Sequence, residues 1–412
     1  MNNFINTEKS FYLEKLENKF YPYWEKYIDN EYGGILNCIS NTTDELVSTN
    51  KYSWSQGRFL YIQARLLTLI DKGIVTKINK DNIISSANKT IQFIKQYVID
   101  SSYKVNFLLS QTGNRIIEEE TGRYDSSIYA DCFILLGLVQ WAIATNNDGH
   151  ILLITNLFKS IKNRIADGDY LTQPYPIAPG YKAHGINMIM LNTTYEMLLY
   201  KTKFNLPTKA EESYALSLVD EILSEFTSNN LIREFISTND NENRLIIDRH
   251  INPGHTLEDL WFIYETLAEL NVEEPYMPIL TKIAKTTFNL GWDKELGGIF
   301  RYADKEGGAV KGISAHTPFE TLIESTWDYK LWWPHSEALY LFLLLYHQSN
   351  DDVFLKLYKK VKDYSFATFP NSEDTEWTQI RQRDGKPIDE VVALPVKDPF
   401  HIMRAFINII EF

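Results

Sequence analysis

The chain predicts an all-α fold, a toroid built from six helical hairpins with long loops and short strand hairpins gathered at one mouth. Three observations carry this. Apolar residues recur at i, i+3, i+4 and i+7 through twelve successive segments. The breaks between those segments alternate between short links and long, turn-rich stretches. No Gly/Ser-rich or Pro-rich linker and no low-complexity tract interrupts the series, so a single domain over residues 1–412 is expected.

In chain order the first eight helices are expected over 8–28, 53–72, 80–99, 126–144, 150–165, 183–201, 207–228 and 255–270. The last four are expected over 275–290, 330–348, 350–367 and 398–411. The second shows the pattern well, with Phe59, Leu60, Ile62, Leu66, Leu67 and Leu69 on one side. The long breaks are 31–52, 101–125, 166–182, 291–329 and 368–397. Within them, Tyr32-Gly33-Gly34-Ile35 and Leu296-Gly297-Gly298-Ile299 read as hairpin pieces, their glycines permitting tight turns.

Composition bounds the function. Of 412 residues, 44% are hydrophobic and 14% aromatic, enough for a large core, and Tyr and Trp add polar handles suited to sugars. A formal net charge of −13 with no basic stripe argues against nucleic acid. Met1-Asn2-Asn3-Phe4 lacks the basic, apolar start of a signal peptide. The apolar runs Phe133–Val139 and Leu339–Tyr346 are too short to span a membrane. Cys38 and Cys132 form no disulfide framework and read as small buried residues in a reducing cytoplasm.

Two histidines stand in distinctive settings. His255 follows Asn252-Pro253-Gly254, and His401 follows Lys397-Asp398-Pro399-Phe400; both are turns that open a helix. Each has a charged residue three positions on, Glu258 and Arg404. Histidine is the side chain best suited to move a proton near neutral pH, so the pair reads as acid and base with charges that hold a polar substrate. Glu337 heads the very apolar run Ala338–Leu343, and Arg58 closes Trp54-Ser55-Gln56-Gly57; both read as inward charges. His335, beside Trp332 and Trp333, reads as structural, while His184, ahead of an apolar helix, reads either as a core histidine or as one facing the mouth, where it is counted with the substrate contacts. His150, His250, His316 and His347 read as surface or core, and Asp328 and Lys330 as ordinary loop charges.

Arg58, His255, Glu337 and His401 all fall near the starts of even-numbered helices. In an alternating toroid those starts share one mouth, where their positive dipole ends favour anionic intermediates. Other chemistries lack their signatures: there is no P-loop, no GxGxxG after a strand and no GxSxG elbow. His255-x-x-Glu258 has no further metal-ligand spacing around it, so no metal is expected.

Taken together, the motifs resemble the N-acylglucosamine 2-epimerase family over nearly the whole chain. Phe20-Tyr21-Pro22-Tyr23-Trp24 with Asp29-Asn30-Glu31-Tyr32-Gly33-Gly34 is similar to its N-terminal signature, and Lys51–Arg58 to its Arg-bearing second helix. Tyr129–Phe133, Asn252-Pro253-Gly254-His255 and Gly291–Gly298 follow in family order. Lys330-Leu331-Trp332-Trp333-Pro334-His335-Ser336-Glu337-Ala338, Arg383-Asp384-Gly385 and Phe400–Arg404 complete the set. The resemblance implies an (α/α)6 barrel and C2 epimerisation, with N-acetylglucosamine and N-acetylmannosamine as the expected pair of sugars. Catalysis is assigned to His255 and His401. Arg58, Glu258, Glu337 and Arg404 match the family's pocket residues, and His184 and Trp333 are counted with the substrate contacts. Cellobiose 2-epimerases carry a further His that aligns near Met188 here, a departure that favours the N-acylglucosamine branch.

The expected chemistry is removal of the C2 proton from the ring-opened sugar by one His and its return on the opposite face by the other. Arg58 or Arg404 would stabilise charge on O1, and Glu258 and Glu337 would orient the imidazoles or bind hydroxyls. The alternatives are an aldose–ketose isomerase using the same residues, and a glycoside hydrolase using Asp131, Glu258 or Glu337. A non-catalytic binding protein of the same fold is the remaining one. The resemblance also implies a homodimer, no required cofactor, and ATP as a candidate allosteric effector.

Overall fold

The computed structural model describes residues 2–238, 244–371, 373 and 375–412; Met1 and two positions of the expected 368–397 loop lie outside them. All twelve expected helices are present. The first is α1 (Asn2–Lys15), a π-helical turn (Leu16–Phe20) and α2 (Tyr21–Glu25). Then come α3 (Ser53–Asp71), α4 (Lys80–Phe93), α5 (Ile128–Thr145), α6 (Ile151–Asp167), α7 (His184–Lys203) and α8 (Lys209–Glu221). A short α9 (Ile246–Arg249) precedes α10 (Pro253–Glu269), α11 (Met277–Gly291) and α12 (Pro318–Thr326). The chain closes with α13 (Trp332–Ser349), α14 (Asp352–Thr368) and α15 (Phe400–Glu411).

Three differences from expectation have physical reasons. The first helix begins at Asn2 rather than at residue 8, because Ile5 is buried on the same stripe as Tyr12 and Leu16. Helix α12 lies inside a stretch expected to be loop. It is started by a Thr317–Glu320 capping box and Pro318, a signal shorter than an apolar period can register. Helix α5 is long and apolar enough to cross a membrane by length and composition, contrary to the expectation of no such segment. Its residues Ala130–Ala142 are buried, so its apolarity fills the interior.

Strands occur among the described residues only as two- and three-stranded antiparallel ribbons between helices. The chain contacts divide into two compact units. The first comprises Asn3–Pro176, Glu196–Pro207 and Val391–Phe412. In it α3 packs on α4 and α5, α5 on α6, and α15 on α3. The crossing of α3 and α5 brings backbones together at Gly57 and Gly137. A methyl on Gly57 would lie 2.2 Å from the Phe133 carbonyl, and one on Gly137 would lie 2.5 Å from the Gly57 carbonyl. The second unit comprises Ile177–Tyr195 and Thr208–Glu390, with α10 packed on α11 and α13, and α13 on α14.

Each unit contains the same device ahead of a buried helix. In the first, Asp29 and Gly34 close a tight turn: the Asp29 amide donates to the Gly34 carbonyl and the Gly33 amide to the Asp29 carbonyl, each at 2.9 Å. The Asp29 carboxylate accepts from the Glu31 and Tyr32 amides. Lys51, fully buried, donates to Asp29 Oδ2 at 2.8 Å and to the Gly33 carbonyl at 2.7 Å, and lies over the Phe93 ring. In the second, Asp293 and Gly298 close the same turn, Asp293 accepts from the Glu295 and Leu296 amides, and Lys330 donates to Asp293 Oδ2 at 3.1 Å over Phe300.

Five residues after each lysine, a side chain accepts the amide that follows the glycine pair: Gln56 Oε1 from Ile35 at 2.8 Å and His335 Nε2 from Ile299 at 2.9 Å. Seven residues after each lysine stand Arg58 and Glu337. Lys330 is therefore not a loop charge, contrary to expectation; it is the buried pin of its turn. Burial pushes its ammonium down to about 8, although Asp293 pulls the other way. Burial works against ionisation of Asp293 too, but Arg383 and Lys330 hold its carboxyl well below the usual carboxylate range.

Removing one member of a buried pair leaves an uncompensated charge, which costs about 3–5 kcal/mol. Lys51→Met is therefore expected to lower the denaturant unfolding free energy by that amount. Lys72→Met, which breaks an exposed pair with Glu411, is expected to leave it nearly unchanged.

Candidate active site

In the first unit the candidate residues gather where α3 meets the start of α15. Asp398 joins them. Its Oδ2 accepts the His401 amide at 3.0 Å, capping α15, and its Oδ1 accepts from Arg58 Nη1 at 3.1 Å. The Arg58 guanidinium is sandwiched among aromatic faces, 4.0 Å from the Phe133 centroid, 4.6 Å from Trp54 and 5.0 Å from Phe400. An arginine so held is always charged and has a fixed fork, so it can present a set direction to a developing oxyanion. One turn into α15, Arg404 lies over Phe400 and its Nη2 approaches His401 Nδ1 at 3.4 Å. A guanidinium offers only donors, so this contact places the proton of a neutral His401 on Nε2.

In the second unit the cluster is built on the starts of α10 and α13. Asn252 caps α10 by accepting the His255 amide at 3.2 Å, and Pro253 occupies the first turn. His255 is the exposed member of its surroundings, its side chain 29% accessible. Its Nδ1 lies 2.8 Å from Glu234 Oε1. The Trp333 ring is 5.2 Å from the imidazole and tilted by 39°. Gly254 permits that approach, since a methyl there would lie 2.4 Å from the indole. A half-buried indole beside the imidazole is a surface on which the apolar face of a sugar can stack.

Glu258 and Glu337 are both buried, and their carboxylates approach within 4.8 Å. Trp261 Nε1 donates to Glu337 Oε2 at 2.8 Å and fixes it. Two converging carboxylates of this kind are acceptors for sugar hydroxyls. His335 has the structural role expected of it: it is fully buried, with Nδ1 on the Leu331 carbonyl and Nε2 accepting from Ile299. Burial pushes it down to about 3, so it stays neutral.

His184 lies in the core, one of its two expected places, rather than at a mouth. It is buried on α7, with Nε2 2.8 Å from Asp259 Oδ2 and Nδ1 4.0 Å from Glu234 Oε2. It therefore stands behind Glu234, not in front of it. Burial disfavours its charge, yet Asp259 and Glu234 outweigh that and push it up to about 9. Burial also opposes ionisation of Glu234, but His255 and His184 hold its carboxyl well below the usual range. Asp131, the remaining hydrolase candidate, is fully buried and paired with Arg164, out of reach of any substrate.

Four residues that complete these clusters were not singled out by the sequence: Glu234, Asp259, Trp261 and Asp398. Asp398 stands in the Pro-bearing turn that precedes His401, without a motif of its own. Glu234 lies between two short strand pieces, Leu231–Ile232 and Phe235–Ser237, with no motif around it.

A model of the N-acylglucosamine 2-epimerase (GlcNAc 2-epimerase) family matches residues 33–405. The chain is 25% identical over 390 residues to N-acylglucosamine 2-epimerase from Bos taurus, covering 91% of this chain and 84% of that protein. It is also 25% identical over 390 residues to the Homo sapiens protein of the same name, covering 91% of this chain and 83% of that one. Among solved structures, cellobiose 2-epimerase from Bacillus thermoamylovorans superposes with a TM-score of 0.77 at 19% identity, covering 100% of both chains. This likeness establishes the fold class, an all-α (α/α)6 barrel.

A histidine whose proton is held more tightly when folded than when unfolded stabilises most where both states are protonated. For His184 that contribution is complete below about pH 6.5 and is lost as pH rises through about 9. The stability gap between the unaltered protein and His184→Gln, measured by urea unfolding, is expected to shrink across that interval.

Proposed function

The chain belongs to the N-acylglucosamine 2-epimerase family, and from that premise we propose that it interconverts N-acetylglucosamine and N-acetylmannosamine through the ring-opened sugar. His255 is the observation that carries this reading. It is an imidazole at a helix start, reachable from solvent, backed by a carboxylate on one nitrogen and flanked by an indole. The names of the bovine and human relatives support the choice of sugar.

The chemistry follows from the sugar. The C2 proton is acidic only when C1 is a carbonyl, so the ring opens first. One of His255 and His401 takes the C2 proton, and the C–H electron pair moves into an enediolate with its charge on O1. The other returns a proton to C2 on the opposite face, which inverts the centre. Arg58, held by Asp398 and three aromatic faces, is suited to the O1 charge, with Arg404 a second cation for it. Glu258 and Glu337 accept from hydroxyls and Trp333 stacks on the sugar. His184 acts from behind Glu234. The proposal extends to a cytoplasmic homodimer that needs no metal or redox cofactor, with ATP as an effector. Cys38 and Cys132, both buried thiols, suit a reducing compartment.

Positioned proton transfer contributes about 10²–10⁴-fold. Turnover of N-acetylmannosamine by His255→Ala and by His401→Ala is each expected to fall by that factor, followed by separation of the two sugars. Near-normal turnover by both variants would overturn the assignment. Treatment with a chelator before assay is expected to leave the rate unchanged.

A further inference from the structure

Behind His255 the second unit buries three titratable groups, which with His255 form one alternating file: imidazole, carboxylate, imidazole, carboxylate. His255 Nδ1 meets Glu234 Oε1 at 2.8 Å, Glu234 Oε2 lies 4.0 Å from His184 Nδ1, and His184 Nε2 meets Asp259 Oδ2 at 2.8 Å. The file is anchored at both ends to α10, because His255 and Asp259 are four residues apart and share a helix face. Its middle is tied as well, since the His184 amide donates to the Glu234 carbonyl at 2.9 Å. Burying a carboxylate costs several kcal/mol unless charge and hydrogen bonds compensate it. A backbone tie between two strands needs no such group, so the arrangement asks for another purpose.

Two neighbours compete for His255 Nδ1. Asn252 Nδ2, at 3.0 Å, is a donor and would require the nitrogen bare; Glu234 Oε1, at 2.8 Å, is an acceptor and would require a proton there. A hydrogen bond to an ionised acceptor is about twice as strong as one between neutral groups, so the carboxylate wins. Asn252 keeps its cap through Oδ1 on the His255 amide.

We propose that Glu234 is a positioning residue for His255: it holds the ring with its proton on Nδ1, so that Nε2 is the bare nitrogen offered to the sugar, and the His184–Asp259 pair keeps Glu234 a charged acceptor. This rests on the epimerase reading, in which His255 moves the C2 proton. It adds what makes that His a base at the outset, and it gives the buried His184 a part in the reaction that involves no contact with substrate. The ring opposite in role, His401, has an arginine donor at its Nδ1 and so the other tautomer.

The test uses the full-length protein labelled with ¹⁵N at histidine, observed above neutral pH, with the His255 signals assigned by their loss in His255→Gln. The expected result is a proton on Nδ1 and a bare Nε2 in the unaltered protein, and loss of that preference in Glu234→Gln. With N-acetylmannosamine, Glu234→Gln is expected to lower kcat by about 10–10⁴-fold, with KM within about threefold, the upper figure being that of a lost tautomer-fixing carboxylate. Glu234→Asp is expected to recover part of that loss. A bare Nδ1 in the unaltered protein overturns the proposal without any variant having to fold. A folded Glu234→Gln with unchanged kcat overturns it too. If His255→Ala itself turns over normally, the epimerase assignment of His255 fails instead, and the ring tautomer still reports whether Glu234 holds it.

Discussion

A lysine buried against an aspartate-capped Gly-Gly turn is the constraint on which the candidate site depends. Lys51 with Asp29 and Lys330 with Asp293 each lock a loop to the short strand that leads into a helix. Neither pair is a cheap way to stabilise a fold, since an apolar pair of similar volume often does as well. What the ion pair adds is register. The lysine fixes where the turn ends, the side chain five residues on accepts the next amide, and the side chain seven residues on is then held in one place. In the first unit that side chain is Arg58 and in the second it is Glu337. The same scaffold thus presents a cation in one unit and an anion in the other.

The charges of the candidate site each have a buried partner. Arg58 leans on Asp398, Glu337 on Trp261, and His255 on Glu234. Buried ionisable groups held this way are already oriented before substrate arrives, which is the source of electrostatic catalysis in a site that must stabilise an enediolate. Aromatic faces shield the Arg58 guanidinium from water, and the indole beside His255 supplies a flat surface for a sugar.

The helices were legible because each buries a wide apolar stripe, and that stripe repeats every turn. His255, His401, Arg58 and Glu337 were legible because each stands at a helix start, where Pro, Gly or a capping residue marks the position. Glu234 and Asp259 were not, because their meaning lies in partners far along the chain: Glu234 is 21 residues from His255, and Asp259 is 75 from His184. The buried role of Lys330 is hidden in the sequence for the same reason. Its pairing with Asp293 spans 37 residues, and a charge next to a turn looks solvated until its partner is known. His184 was read from the apolar helix that follows it, which says that it lies inside but not which neighbours it meets.

In the proposed reaction this protein exchanges the C2 proton of an N-acetylhexosamine. Proton NMR of the unaltered protein with N-acetylmannosamine in D2O tests it directly. N-acetylglucosamine is expected to appear, and the C2 proton signal of the sugars to be lost as deuterium enters there. A ketose product, or epimer formation with the C2 proton fully retained through many turnovers, would contradict it.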